Sequence, residues 1–560
     1  MDLQPALAGP SQNNGPTFAS LPAEIIHNIL DFVVPQRPSI GETRPVAYNS
    51  IAPGDDWHDF TRGRRGLWSL CLVSRHFASL AQKLLYKTVA ILDEDSFVLF
   101  FRTAFETGLP SSLTRSFSCH LTLTRPNGIR SALGARVPAE IAIHFYRARK
   151  GGCDRTPEAI MLFLLIRLVR METLLINLPI CDDYPDYTTL LSDLIVFRTR
   201  HFPKVKGEWN QWMVMALDIG NEYDVGGEND PAGERLLQSL EACFPIAPEA
   251  PFMHLETLML QGDPELRQYF EEDDGDGTHR APETWGAQAW RYTPLYIIFP
   301  KLTTLEVSTD DGTWDLSCLI DTGNEYHLKN IRHVYLHDST ACPRNLHRIL
   351  QACPNLETLY MTPRIDEGLD YNFMDDPGES TDAHPESLNT ALIKYGKKLR
   401  HLDVGWFEVL NANFIGPEGR LPVLPKLTRL EKICVPLAVL YGSDVALVPL
   451  AGLLPPNIVD LTLEDWWWTD IDDYDEMHDW GPMDRLEHYR AKRDYRTNAL
   501  NSLIQFAGDS VSQPRLKTVL LLCHIPATWV VQDGDPLDFH FAEVKRAFRL
   551  RGVEFLVDEA

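Results

Sequence analysis

The sequence predicts an α/β protein in two parts: a small all-helical N-terminal module, then an irregular solenoid of parallel strands interrupted by acidic insertions. Three observations lead there. Two stretches near the start, residues 21–30 and 67–77, repeat apolar side chains at spacings of three and four, the period of amphipathic helices. From residue 171 onward a short pattern, apolar-x-x-apolar-x-apolar, recurs down the chain, usually after a helical stretch and a Pro. Between its copies, carboxylates gather with Gly and Pro in polar runs.

Residues 1–20, rich in Pro, Gly, Asn and Ser, are expected to be a disordered tail. Ser20 then suits the N-cap of a first helix, with Pro22 in its first turn and Glu24 favourably placed against the helix dipole. Ile25, Ile26, Ile29, Leu30 and Val33 form its apolar stripe, and Pro35 ends it. Residues 36–66, with Pro38, Gly41, Pro45, Pro53, Gly54, Gly63 and Gly66, read as a loop insertion. Helical patterning resumes at Leu67 and runs as one segment through Leu70, Val73, Phe77, Leu80, Ala81, Leu84 and Leu85. A module this small cannot bury all of these faces internally, so apolar surface is left over for docking.

Residues 21–90 resemble an F-box. The resemblance rests on Leu21, Pro22, Glu24, Ile25, Ile29 and Leu30, then on Leu72, Val73, Ser74, Arg75, Phe77, Leu80, Ala81, Leu85 and Tyr86. Two departures stand out: the insertion at 36–66 is longer than the usual connection, and Phe77 stands where many members carry Trp. The resemblance implies docking to a Skp-type adaptor. Leu21, Pro22, Ile25, Ile29, Leu30, Leu72, Val73 and Phe77 are the candidate adaptor contacts or F-box core.

The remainder, residues 91–560, changes character at once. Residues 88–92 read as a strand, 97–105 as a helix and 120–124 as another strand. The repeated pattern then starts at Met171, Leu255, Leu302, Ile331, Leu356, Leu399, Ile458 and Leu516. A weak copy starts at Leu427 and Leu430, where Lys432 takes the third apolar place, and residues 553–557 read as a last strand. These copies resemble the strand segment of leucine-rich repeats, in which a unit buries its apolar face only against its neighbours. Spacing is irregular: 29 residues separate Leu302 from Ile331, and 58 separate Ile458 from Leu516. Together with the lack of a conspicuous Asn after each strand, this points to a degenerate solenoid with insertions. A single twisted α/β domain of another topology is the alternative. The acidic insertions at 226–230, 271–277, 366–386 and 470–484 read as solvated loops.

Charge narrows the partners. Lys and Arg total 52 against 78 Asp and Glu, a net charge of -26. Without a local basic patch, such a surface repels phosphate backbones and anionic lipid, so neither nucleic acid nor membrane is expected as a partner. The longest apolar run, residues 159–165, stops at Arg167 and Arg170, well short of the ~20 residues that span a bilayer. The first 19 residues have neither a basic residue nor an apolar core, so no secretory signal is read there. Ten cysteines without a CxxC pair fit reduced thiols in a cytoplasmic or nuclear protein.

Chemistry-bearing motifs are few. Glu272, Asp274, Asp276, Gly277 and Glu283 fit an EF-hand-like frame, but Glu opens it, His279 stands where an apolar residue is normal, and Pro282 precedes the last ligand. That stretch reads better as a solvated insertion. His333 and His337 share a strand face with Cys342 close by, yet further zinc ligands at short spacing are lacking. Gly-rich phosphate loops and a Gly-x-Ser-x-Gly elbow are absent too, so no catalytic residue, metal or cofactor is expected.

Period-two alternation instead defines an outward-facing sheet surface: Thr257, Met259, Thr304, Glu306, His333, Tyr335, His337, Thr358, Tyr360, His401, Asp403, Asp460, Thr462 and Glu464. Within it His333, Tyr335, His337, Tyr360, His401 and Asp403 are the candidate substrate-binding residues, Tyr being a frequent hot-spot residue. Trp406, Trp466, Trp467 and Trp468 follow strand ends and belong to its predicted rim. The expected function, implied by the resemblance, is that of a substrate-recognition subunit of a Skp–cullin–F-box ubiquitin ligase. In that role the chain is not itself an enzyme. A non-degradative F-box scaffold is the first alternative, and an enzyme or ligand receptor with a pocket in the α/β domain is the second.

Overall fold

The computed structural model describes residues 25–26, 30, 55–91, 94–107, 109–119, 149–150, 153–154, 161, 164–165, 167–177, 252–261, 301–308, 328–337, 343–361, 388–404, 421–441, 449–464, 498–509, 511–523 and 537–559. The EF-hand-like frame, the acidic insertions, Cys342, Trp406, Trp466, Trp467 and Trp468 lie outside them, as do Leu21, Pro22 and Ile29.

After the helical residues Ile25, Ile26 and Leu30 come two helices, α1 (Asp55–Val73) and α2 (Arg75–Lys87). Both bounds correct the sequence reading, in which residues 55–66 were loop and 67–85 a single helix. Gly63 and Gly66 suggested a break, but a helical Gly costs only about 1 kcal/mol relative to Ala. Burying a Leu such as Leu67 contributes about 1.5–3 kcal/mol, so packing wins. The true break is Ser74. Its backbone is extended, and its hydroxyl accepts the Phe77 N–H at 3.3 Å, which makes it the N-cap of α2. Ile26, Leu30, Leu67, Phe77, Ala81 and Leu84 form a small core of their own.

From α2 the chain passes without a linker into β1 (Thr88–Ile91), since Thr88 is both the helix C-cap and the first strand residue. There follow α3 (Glu94–Thr107), α4 (Leu109–Leu113), β2 (Ser116–Cys119), the short antiparallel pair β3 (Arg149–Lys150) and β4 (Cys153–Asp154), and β5 (Thr173–Asn177). Next come β6 (Thr257–Gln261), β7 (Thr304–Ser308), β8 (His333–His337), α5 (Pro343–Ala352), β9 (Thr358–Met361), α6 (Leu388–Tyr395) and β10 (His401–Val404). The last group is β11 (Lys432–Pro436), α7 (Leu437–Tyr441), α8 (Leu450–Leu453), β12 (Asp460–Glu464), β13 (Thr518–Cys523), α9 (Leu537–Arg551) and β14 (Glu554–Glu559).

Apart from β3 and β4, these strands form one twelve-stranded sheet, in the order β1-β2-β5 through β14, each beside its predecessor and all parallel. The molecule is thus of the α/β class. Leu258, Leu305, Val334, Leu359, Leu402, Ile433, Leu461, Val519 and Phe555 stand in register across the strands and are buried. They join a single core that runs from Val89 to Phe555. The residue preceding each strand extends the ladder: the N–H groups of Glu256 and Thr257 both point to the Glu172 carbonyl, and those of Arg400 and His401 to the Glu357 carbonyl. Asn355 and Asn457 donate from their side chains to the Lys329 and Thr428 carbonyls at 2.6 and 2.7 Å, stapling neighbouring turns.

One strand assignment needs correcting. β2 is described over Ser116–Cys119, and the strand read at 120–124 lies outside the described residues. β11 is a full copy of the pattern, not a weak one, because Leu430, Ile433 and Val435 fill its apolar places. Leu427 is instead the buried C-cap of the 3-10 turn Leu424–Lys426.

Candidate functional site

In a strand, alternate side chains face opposite sides, so one face of the sheet carries the core and the other carries three cross-strand rows. The first row includes Thr304, His333, Thr358, His401, Lys432 and Asp460; the second includes Glu306, Tyr335, Tyr360, Asp403, Cys434 and Thr462. His337 and Glu464 belong to the third. Parallel register therefore brings all six candidate substrate-binding residues together on three adjacent strands, β8 to β10.

Tyr335 and Tyr360 lie side by side with ring centroids 6.1 Å apart and a 44° tilt, inside the range of favourable aromatic pairs. His337 adds a third ring, 5.3 Å from Tyr360. His333 Nδ1 is 3.0 Å from the Thr358 hydroxyl. Burial, followed by the Lys432 charge, pushes the His401 pKa down to about 4, so this histidine is neutral near pH 7. Burial also lowers the His333 pKa.

One candidate departs from expectation. Period-two alternation places His337 on the outward face, yet it is only 4% exposed, and its Nε2 lies 3.2 Å from Oε1 of Glu306, itself 5% exposed. A buried carboxylate demands a partner, and the strand register supplies an imidazole from the next strand. Thr358, also read as outward and open, is buried as well.

Toward β12 the outward face becomes acidic, with Asp403 on β10 and Asp460 and Glu464 on β12. Cys434 stands beside Asp403 on the neighbouring strand, and its thiol donates to Glu464 Oε1 at 3.3 Å. Burial pushes Asp403 up to about 6, with a hydrogen bond from Cys434 working against it. Glu464 is pushed up to about 7, by burial first and the negative Asp403 second. The Cys434 thiol is itself held well above its ordinary value by burial and both carboxylates. Lys432 is engaged with Asp460 at 3.0 Å, one row away. Lys432 and Cys434 escaped the sequence reading because β11 was placed three residues early. The signal was present: Leu430-x-x-Ile433-x-Val435 has the full spacing.

At the helical module, Ile26, Leu30, Leu67 and Phe77 are interior, whereas Ile25 is 46%, Leu72 69% and Val73 66% exposed. Trp68, absent from the sequence candidates, is 59% exposed and sits one turn before Leu72 on the same side of α1. The signal for it was a large aromatic outside the stripe set by Leu67 and Leu70. Arg64, a turn earlier, donates to the Ala90 carbonyl of β1 at 3.0 Å, tying the module to the first strand of the sheet.

Among the described residues, no group of three His, Cys, Asp or Glu side chains is arranged to hold a metal ion, and no helix is long and apolar enough to cross a membrane. A scan against models of protein families and a search of curated proteins each returned no match to the chain.

Proposed function

We propose that the chain is an F-box-type substrate receptor, in which the helical module docks a Skp-type adaptor of a cullin–RING ubiquitin ligase and the sheet recruits a protein target. The observation that carries this reading is the split character of α1. Its Leu67 side closes the small core, while Trp68 and Leu72, with Ile25 and Val73, leave large apolar side chains in water. Exposed aromatic and aliphatic groups of this kind mark protein contact sites. Residues 91–560 are read as a leucine-rich-repeat-like solenoid. The single-file parallel sheet supports that reading, with a buried apolar residue opening each copy at Leu302, Ile331, Leu356, Leu399, Leu430, Ile458 and Leu516. The mechanism is proximity: a captured target lysine is held near a ubiquitin-charged enzyme at high effective concentration.

Co-expression with a Skp-type adaptor is expected to yield a stable complex. The exposed pair Trp68→Ala/Leu72→Ala should weaken it by about tenfold or more, since an interface anchor is worth more than about 1 kcal/mol, while leaving the melting temperature of the free chain unchanged. Absence of adaptor binding by the wild-type chain, or undiminished binding by the variant, would overturn the proposal. Ubiquitin transfer to a captured target distinguishes a ligase subunit from a scaffold.

A further inference from the structure

We propose that the rim of the sheet where the strands begin, over the turns that enter β10, β11 and β13, is a docking surface for an acidic polypeptide segment. The inference stands apart from the receptor reading, since it uses neither the helical module nor the outward rows of the sheet.

Local structure builds the rim. In each of these turns a buried apolar residue, Leu399, Leu430 or Leu516, pins the chain to the core, and the residues on either side of it are left exposed or half-buried. Those flanking residues are Lys398 and Arg400, Arg429 and Glu431, and Arg515 and Lys517, with Lys397 beside them in the 3-10 turn Gly396–Lys398. Backbone register holds the turns side by side: the Glu431 N–H donates to the Arg400 carbonyl, the Val459 N–H to the Glu431 carbonyl, and the Lys517 N–H to the Val459 carbonyl. Asn457 and Val459, in the turn that enters β12, lie between the two basic groups and carry no charge. A chain of net charge -26 thus gathers cations along one edge of its sheet, a few per turn, which no single run of the sequence displays.

The charge of this rim is in excess and in water. Glu431 is the one carboxylate of these turns among the described residues, and two guanidiniums share it, Arg400 at 2.8 Å and Arg515 at 3.7 Å. Lys398 meets the neutral side-chain oxygen of Asn355, which leaves its charge in place. No ion pair engages Lys397, Arg429 or Lys517 among the described residues, and all three are exposed. The Arg400 and Arg515 side chains are each 54% exposed, so even the paired guanidiniums keep donors facing solvent. Of the carboxylates next in sequence, Asp460 is held by Lys432 at 3.0 Å and Asp509 by the Ser512 hydroxyl.

Size and charge select the occupant. Strands about 4.8 Å apart put roughly 14 Å between the β10 and β13 turns, the length of four or five extended residues at about 3.3 Å each. Arg400 and Arg515 already make the carboxylate contact that such a segment would repeat, and a guanidinium takes further carboxylate oxygens through its remaining donors. A nucleic acid or an anionic bilayer would extend past this short rim onto a molecule of net negative charge, whereas a short acidic segment fits inside it. The chain's own acidic stretches at 366–386 and 470–484 follow β9 and β12, which end at the opposite edge of the parallel sheet, and this favours a separate partner.

The test is fluorescence anisotropy of the full-length chain with a labelled peptide of about twelve residues, carrying Glu pairs about three positions apart on a Gly and Ser background, in about 50 mM salt. Binding is expected, with about tenfold or more weaker affinity for the same peptide with Gln in place of Glu, and a steep decline toward about 300 mM salt. Lys397→Gln/Arg429→Gln/Lys517→Gln should weaken binding about fivefold or more. Lys83→Gln/Lys545→Gln/Arg546→Gln, which removes the same charge from α2 and α9, should weaken it less than about twofold. All six positions are exposed, so the melting temperatures should stay those of the parent. No binding, the result also expected of a rim covered by the chain's own acidic stretches, overturns the proposal. Equal losses in the two variants overturn it as well, as does tighter binding of oligothymidine or of phosphatidylserine vesicles than of the peptide. Adaptor capture does not enter this readout, so the receptor reading stands or falls by its own experiment.

Discussion

At the scale of single residues, Glu464 and Asp403 carry the largest electrostatic consequence for folding. Their folded pKa values lie above those of the unfolded chain, so the native state holds more protons in the window between. Stability from this source is fully present below the ordinary carboxylate range and is lost as pH rises through about 6 and then about 7. His401 opposes them with a lowered pKa, favouring the fold as pH rises from about 4 to its ordinary value near 6.5. The difference between variant and parent isolates one group. Thermal melts of Glu464→Gln should match the wild type near pH 4, gain on it steadily toward pH 7, and hold that gain above pH 8. A gap that does not change with pH would show that Glu464 is not perturbed. None of this was legible locally, because Asp403 and Glu464 are apart in sequence and meet through two strand pairings.

At the scale of elements, two glycines make opposite predictions. Gly66 lies within α1, and a Cβ there would meet nothing within 4 Å. Gly66→Ala should therefore stabilise the protein by about 0.5–1 kcal/mol, through the helix preference for Ala. Gly552 ends α9 with φ of 77°, and its N–H and that of Val553 return to the Arg549 and Phe548 carbonyls at 3.0 Å each. This αL cap turns the chain into β14, so Gly552→Ala should cost about 1 kcal/mol even though space is open. Chemical denaturation of both variants checks the pair. The strands were readable from sequence because a period of two with a fixed apolar offset is a local signal. The α1–α2 boundary was not, since the glycines spoke for a break that packing overrides and Ser74 looked like an ordinary helical position.

At the scale of the whole molecule, β1 is an edge strand, and Arg64 closes part of that edge by donating to Ala90 O. Removing the donor leaves a partly buried carbonyl unpaired, at a cost of about 1–3 kcal/mol. Arg64→Met should speed amide hydrogen exchange in β1 and β2 while leaving β9 to β12 unchanged. Equal exchange in β1 would show that the module is held to the sheet by α2 alone. If the module docks an adaptor and the sheet a target, this contact sets how the two ends of the molecule are oriented.

The sequence by itself determined the α/β class, the positions of nearly all strands, and the outward residues on them, because all of these follow from short apolar periods. It also supplied the resemblance that gives the helical module its proposed role. Tertiary structure decided what those outward residues do: that His337 is sealed against Glu306, and that Asp403 and Glu464 crowd a single thiol. The reason is physical. Burial, pKa and pairing depend on which strand lies beside which, and that is fixed by register between segments tens of residues apart.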